Sequence, residues 1–186
     1  MNVRRHVWIW LAAGSLLTFL GGCSNSANQP TAKNFITVLN AYYQDRNDCL
    51  FPGGRQFPYE VAPGEGAKQS KQQMDSLKDA GLMTRLEDLD LHVDSYSLNL
   101  AGQRYGPRFC YGHRVVNGIV SFTPPGPQNG FTETTVTYSY SMEDVPVWAK
   151  TAEIEAAFPQ LAKDLGPNPT DQQVLATVGA GWQVPQ

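Results

Sequence analysis

The fold is decided by the stretch Phe109-Cys-Tyr-Gly-His-Arg-Val-Val-Asn-Gly-Ile-Val-Ser-Phe-Thr123, which is followed by Thr132-Glu-Thr-Thr-Val-Thr-Tyr-Ser-Tyr-Ser-Met142. Both segments are rich in β-branched and aromatic residues, which favour strands. In the second segment Val136, Tyr138 and Tyr140 alternate with Thr and Ser, the pattern of a strand with one buried face. The Pro- and Gly-rich residues 124–130 between the two segments favour a turn. The sequence therefore predicts a long antiparallel hairpin.

Helical patterns precede the hairpin. Apolar residues at helical spacing predict a first helix over residues 34–46, and residues 67–80 favour a second helix that ends at Gly81. The leucines of residues 82–91 predict a further helical turn, and residues 95–100 alternate as a short strand.

Residues 147–161 favour helical pieces interrupted at Pro159, and residues 174–182 favour a terminal strand. These elements predict an α+β fold: a small antiparallel sheet with a long hairpin, covered by helices. Residues 34–186 are expected to form one globular domain.

The N-terminal segment has the features of an export signal. Arg4 and Arg5 form a basic head, and the apolar run Val7–Leu20 has the length of a signal core, too short to span a bilayer. The next residues, Leu20-Gly21-Gly22-Cys23, resemble the lipobox of bacterial lipoproteins. The resemblance implies that residues 1–22 are removed and that the Cys23 thiol carries the lipid, although Gly21 stands where Ala or Ser is commoner.

The lipoprotein resemblance also implies a location. Residues 23–33 are small and polar, which is typical of a flexible tether. In a Gram-negative envelope, a residue other than Asp after the lipobox cysteine, here Ser24, resembles the default sorting to the periplasmic face of the outer membrane. Two alternatives stay open: an ordinary secretory signal with an incidental cysteine, or an apolar N-terminal helix of a soluble protein.

A second resemblance covers residues 77–105. Leu77-Lys-Asp-Ala-Gly-Leu-Met83, followed by Tyr96-Ser-Leu-Asn-Leu-Ala-Gly-Gln-Arg-Tyr105, is similar to the stretch from recognition helix to wing in winged-helix regulators. Asn99 stands where that family usually has Thr, and no Arg-rich face accompanies the motif. The resemblance therefore implies a winged-helix-like N-terminal part used as a scaffold, without DNA-binding residues.

Cys49 and Cys110 remain once Cys23 is assigned to the lipid. An even number of cysteines in an exported domain predicts a disulfide bond. Two buried thiols or a redox pair are the alternatives, but redox pairs are usually closely spaced, as in Cys-x-x-Cys.

Charge and motifs limit the function classes. Loss of Arg4 and Arg5 with the signal takes the formal charge from −3 to −5, whereas nucleic-acid binding needs clustered Lys and Arg. We expect no nucleic-acid partner. The sequence contains no His-x-x-x-His, Cys-x-x-Cys or Gly-x-Ser-x-Gly motif, so we expect no metal, cofactor or recognisable catalytic residues.

Two functional hypotheses follow. The preferred one is a non-enzymatic, lipid-anchored envelope domain that binds a partner protein or a cell-wall component, with Tyr138, Tyr140 and Trp148 as candidate groove aromatics. The other interpretation of these aromatics is that they fill the core. The rival hypothesis is a periplasmic hydrolase-like enzyme that uses residues such as His113 in a concave pocket.

Overall fold

The computed structural model describes residues 26–179 and 181–185, so the signal segment and Cys23 lie outside the described residues. The described residues form four α-helices and nine strands, which confirms the α+β class. The helices are α1 Ala32–Tyr43, α2 Ala67–Asp79, α3 Ala152–Ala157 and α4 Pro159–Asp164. The strands are β1 Asn47–Cys49, β2 Tyr59–Val61, β3 Met83–Asp88, β4 Val93–Leu98, β5 Cys110–Phe122, β6 Gly126–Gln128, β7 Phe131–Glu143, β8 Thr170–Val178 and β9 Gly181–Gln183.

The larger sheet has the strand order β1-β5-β7-β8-β9, with β6 paired to β7, and all of its pairs are antiparallel. The long hairpin predicted from the sequence is formed by β5 and β7, whose register runs from His113 opposite Glu143 to Phe122 opposite Val136. Buried and less buried residues alternate along β7 as predicted: Val136, Tyr138 and Tyr140 are all buried, and the residues between them are less so.

The smaller sheet is antiparallel and has the order β2-β4-β3. The helical turn predicted over residues 82–91 was wrong, since this segment forms β3 and the turn into β4. Six residues of β3 pair with β4, and Asp88 Oδ1 accepts hydrogen bonds from the backbone N–H groups of Asp90 and Leu91, both at 3.0 Å. Ladder pairing with the next strand, β4, outweighed the helical spacing of the leucines.

Two further predictions differ in detail. The terminal strand is a pair of strands, β8 and β9, joined through Gly179, which has a φ of +62° that favours glycine. Pro159 begins α4 rather than merely ending a helix, because a proline is well tolerated in the first turn, where its missing N–H has no partner to lose.

The folded part begins before the expected boundary at residue 34. Ser26–Asn28 form a short 3₁₀ helix, and the Trp182 indole N–H donates to the carbonyl oxygens of Asn28 at 3.1 Å and Gln29 at 3.3 Å. Thr31 then caps α1 by accepting from the Asn34 N–H. The backbone of Asn28 and Gln29 is therefore held against Trp182 of β9, within the segment 23–33 that the sequence predicts to be a flexible tether.

The core has two parts. The first lies around α2, the smaller sheet and the helical segment 147–161, and its fully buried members include Met74, Leu77, Tyr96 and Phe109. The second lies between α1 and the larger sheet, and it contains Phe35, Leu39, Tyr43, Val116, Val136, Tyr138, Tyr140, Leu175 and Trp182. Within residues 26–179 and 181–185, no helix is both long and apolar enough to cross a membrane.

Cys49 and Cys110 face each other across the β1–β5 ladder. Their Sγ atoms are 2.08 Å apart, and the bond closes a loop between residues 61 positions apart. It fastens the three-residue strand β1, which also carries Asp48, to the long hairpin.

Reduction of this bond is expected to lower the free energy of unfolding. The chain-entropy model gives about 4 kcal/mol for a loop of this length, because the reduced unfolded chain regains conformational freedom. Urea unfolding with and without dithiothreitol measures the difference. The double variant Cys49→Ser/Cys110→Ser is the matched control and should be insensitive to dithiothreitol, whereas a wild-type protein equally insensitive to it would contradict the prediction.

Candidate functional site

A buried arginine lies at the centre of the larger sheet. Arg114 comes from β5, is 9% exposed and points to the same side of the sheet as the second core. Its Nε donates to Asp48 Oδ2 at 2.9 Å and its Nη1 donates to Asp171 Oδ2 at 2.5 Å. The two carboxylates belong to β1 and β8, so one guanidinium connects strands on both sides of the hairpin.

A third carboxylate, Asp164, ends α4 beside this arginine. It is 1% exposed and accepts hydrogen bonds from the hydroxyls of Tyr111 and Tyr140, both at 2.6 Å, and from Gln160 Nε2 at 2.7 Å. Arg114 Nη2 lies 4.0 Å from Asp164 Oδ1. Each oxygen of this buried carboxylate thus receives at least one donor, as burial of a charge requires.

The pKa shifts in this cluster follow from burial and from Arg114. Burial raises the pKa of Asp48 even though Arg114 opposes the shift, so this residue contributes stability at low pH that is lost as the pH rises above about 3.9. Burial also raises the pKa of Asp171, but the hydrogen bonds from Arg114 and the Gln172 N–H outweigh it and leave that pKa lowered. Asp171 therefore stabilises the fold above about pH 3.9 and ceases to do so as the pH falls through its lowered pKa.

The tyrosines of the cluster act as neutral donors. Burial, together with the hydrogen bond to Asp164, raises the pKa of Tyr111 and of Tyr140. Burial lowers the pKa of Arg114, but its bonds to Asp171 and Asp48 outweigh that effect and keep the pKa raised. Arg114 and Asp164 are buried, Asp48 and Asp171 are partly exposed, and each of these side chains is hydrogen-bonded, which suits a structural centre.

The three candidate groove aromatics lie in the core. Tyr138 is fully buried with its hydroxyl 2.6 Å from that of Tyr43, and Tyr140 binds Asp164. Tyr140 also borders a cavity of about 460 Å³. Trp148 is 6% exposed, borders a groove of about 720 Å³ and packs edge-to-face on Tyr105. Tyr140 and Trp148 therefore each line one of these two cavities, and Tyr138 lines neither.

His113, the residue named for a hydrolase, lies on β5 with its Nδ1 3.5 Å from Asp144 Oδ2. Within the described part of the chain, no serine, threonine or cysteine side chain hydrogen-bonds to it, so the hydrolase hypothesis gains no support from its surroundings. No group of three or more His, Cys, Asp or Glu side chains among the described residues is arranged to hold a metal ion.

Three exposed leucines lie at the end of the β3–β4 hairpin, residues 86–91, which we call the leucine tip. Leu86, Leu89 and Leu91 are 74%, 72% and 68% exposed. They border a concave surface of about 700 Å³ that is also lined by acidic side chains, namely Glu60, Glu87, Asp88 and Asp90. No basic side chain lines this concavity.

The leucine tip is held rigidly at its base. Arg85 Nε donates to Asp94 Oδ1 at 2.6 Å across the two strands, and Lys71 of α2 pairs with the same carboxylate. Burial raises the pKa of Asp94, but these two cations outweigh it and leave that pKa lowered. These ion pairs join the base of the hairpin that carries the three leucines to α2.

The sequence interpretation missed both Arg114 and the leucine tip. A charged residue inside the apolar run 109–123 was a usable sign of a buried ion pair, since an isolated charge is not tolerated there. The mixture of leucines and acidic residues in residues 86–91 was a sign of an exposed turn, because the segment has no purely apolar face that could be buried.

No protein-family model, curated protein or solved structure matches the chain. The likenesses to bacterial lipoproteins and to winged-helix regulators accordingly rest on residues 20–23 and 77–105 alone. Information about function comes from the geometry of the leucine tip and from the N-terminal sequence.

Replacing Arg114 with methionine is expected to lower the free energy of unfolding by about 3–5 kcal/mol near neutral pH, because the partly buried carboxylates of Asp48 and Asp171 then lose their cation. The deficit should shrink as the pH falls from about 7 toward 4, since protonation removes the unpaired charges. Urea unfolding followed by circular dichroism at both pH values measures it.

Arg46→Met is the matched control. Arg46 is exposed, and its guanidinium lies 4.3 Å from the ring centroid of Tyr42, a contact that contributes about 0.5–1 kcal/mol at an exposed site. A loss for Arg114→Met no larger than that of the control, or one that does not change with pH, would count against the assigned role.

Proposed function

We propose that the chain is a lipid-anchored, non-enzymatic lipoprotein of the cell envelope whose domain binds a partner protein through the leucine tip. The observation that carries this proposal is the exposure of Leu86, Leu89 and Leu91 together on one rigid, acidic hairpin end. Exposed apolar clusters with a polar rim are typical of interaction sites.

The anchoring part of the proposal rests on the N-terminal sequence. A basic head, an apolar run and Leu20-Gly21-Gly22-Cys23 support lipidation of Cys23 after export, and Ser24 supports the periplasmic face of the outer membrane if the source is Gram-negative. The disulfide between Cys49 and Cys110 is consistent with an oxidising compartment. Two or more acyl chains would bind the membrane firmly, as one chain does not.

The chemistry of the leucine tip favours a protein over a cell-wall glycan. Three leucines gain little from contact with the hydroxyl-rich surface of a glycan, whereas they can fill an apolar groove of a protein. Glu87, Asp88 and Asp90 around them favour a partner whose groove is edged by Lys and Arg. The expected partner is therefore an envelope protein with a basic-rimmed apolar groove.

We also infer that the smaller sheet with α2 is a winged-helix-like scaffold. The chain order β2, α2, β3, β4 and the sheet order β2-β4-β3 support this inference. The hairpin end that would be the wing carries acids instead of the Lys and Arg that phosphate binding requires, so the scaffold is not proposed to bind DNA.

Metabolic labelling with an alkyne fatty acid is expected to mark the wild-type protein and not Cys23→Ala, because the acyl chains are attached at that residue. The double variant Cys49→Ser/Cys110→Ser is the control and should keep the label. Mass spectrometry that finds Met1 still attached and Cys23 unmodified would refute the anchor.

Leu89→Ser is expected to abolish recovery of the partner after crosslinking in intact envelopes, because one of the three exposed anchors is lost. Leu100→Ser is the matched control: Leu100 is 83% exposed and lies beyond the far end of β4, so the same change there should leave recovery unaltered. Neither substitution opens a core cavity, and both proteins should unfold at the wild-type urea concentration.

The charge on the leucine tip is tested in the same assay. Asp90→Lys should weaken recovery, and Glu65→Lys, an equal charge change at an exposed site outside the tip, should not. Equal recovery for Leu89→Ser and Leu100→Ser would rule out the tip as the binding surface while leaving lipidation of Cys23 untouched.

A further inference from the structure

We propose that the end of the domain next to the N-terminus is a second membrane contact, in which Phe122, Phe131 and Val178 enter the lipid headgroup region beside the anchor. These three residues are named the anchor end. The inference rests on the proposed lipidation of Cys23 and adds to it an orientation of the folded domain on the bilayer.

Only a short length of chain separates Cys23, the proposed site of the lipid, from the described fold. The described fold begins at Ser26, three residues after Cys23. Three fully extended residues span at most about 10 Å. The headgroup region on each side of a bilayer is about 5–8 Å thick, so a lipid on Cys23 holds the 3₁₀ helix Ser26–Asn28 at the membrane surface.

The anchor end adjoins this 3₁₀ helix. Val178 pairs with Gly181 in the β8–β9 turn, and a Cβ added at Gly181 would lie 4.0 Å from Ala27 Cβ. Thr177 Oγ1 lies 3.4 Å from the Thr132 carbonyl, which places the start of β7 next to the end of β8.

Phe122 is tied to the same region through aromatic contacts. Its ring centroid lies 5.1 Å from that of Phe35, and the Phe35 ring lies 5.3 Å from Trp182. Trp182 in turn donates its indole N–H to the Asn28 carbonyl. These contacts place Phe122 at the same end of the larger sheet as Phe131, Val178 and the point where the chain leaves toward Cys23.

The anchor end is exposed and has few charged residues around it. Phe122, Phe131 and Val178 are 41%, 49% and 42% exposed. Residues 120–136 contain one ionisable side chain, Glu133, residues 26–35 contain Lys33, and residues 172–185 contain none. An apolar surface with so little charge is compatible with anionic phospholipid headgroups, and its phenylalanines can be buried there.

The leucine tip provides the contrast. It is equally apolar, but its three leucines stand among four acidic side chains, which an anionic bilayer repels. The two exposed apolar surfaces therefore differ in charge and suit different partners. The anchor end suits lipid, and the leucine tip suits a protein groove with a basic rim.

Nitroxide labels on the lipidated full-length mature protein test the orientation. Phe131→Cys and Val178→Cys report on the anchor end, and Leu89→Cys on the leucine tip is the control, each labelled and reconstituted in vesicles of phosphatidylethanolamine and phosphatidylglycerol. Collisions with oxygen, which concentrates in lipid, and with a water-soluble nickel chelate are measured by electron paramagnetic resonance. We expect oxygen to dominate at 131 and 178, and the nickel chelate to dominate at 89.

Two results would overturn the proposal. Labels at 131 and 178 that are as accessible to the nickel chelate as the label at 89, on protein whose Cys23 carries acyl chains by mass spectrometry, would refute the membrane contact alone. An unmodified Cys23 would refute the anchor and the contact together. Circular dichroism of each labelled variant verifies that it is folded, and agreement between 131 and 178 excludes a local disturbance at one site.

Discussion

The structure depends on one buried guanidinium. Arg114 lies in the middle of the long hairpin, and its bonds to Asp48 and Asp171 join the first strand of the larger sheet to a late one. The neighbouring Asp164 extends the network to the end of α4 through Tyr111 and Tyr140. Three carboxylates around one cation leave an excess of negative charge, which is tolerated because neutral phenols and an amide supply the remaining donors.

Around this centre the molecule has two differently composed parts. The larger sheet, covered by α1, carries the first described residues of the chain and ends in an almost uncharged apolar surface. The smaller sheet, supported by α2, ends in the acidic leucine tip. The cross-strand disulfide and the Arg114 bonds stiffen the region between them. A domain with this division can face a bilayer with one surface and a protein with another.

The sequence predicted the elements whose local pattern agrees with their final environment. Val136, Tyr138 and Tyr140 alternate because one face of β7 is buried, and residues 34–46 repeat at helical spacing because α1 lies on the sheet. The prediction for residues 82–91 failed because this segment pairs with β4 in a short hairpin, and the spacing of its leucines does not reveal that pairing. The partners of Arg114 lie 66 and 57 positions away, so only the folded chain brings them together. The leucine tip was missed for the same reason, since exposure depends on what the rest of the chain leaves uncovered.

The contact between Trp182 and Asn28 joins residues 154 positions apart. The beginning of the domain therefore acquires its last hydrogen-bond donor only when the final strand of the chain has been made, and such non-local closure is slow. This contact brings the two ends of the described domain together, which suits the domain to circular permutation with new ends opened at the exposed turn Asn129-Gly130.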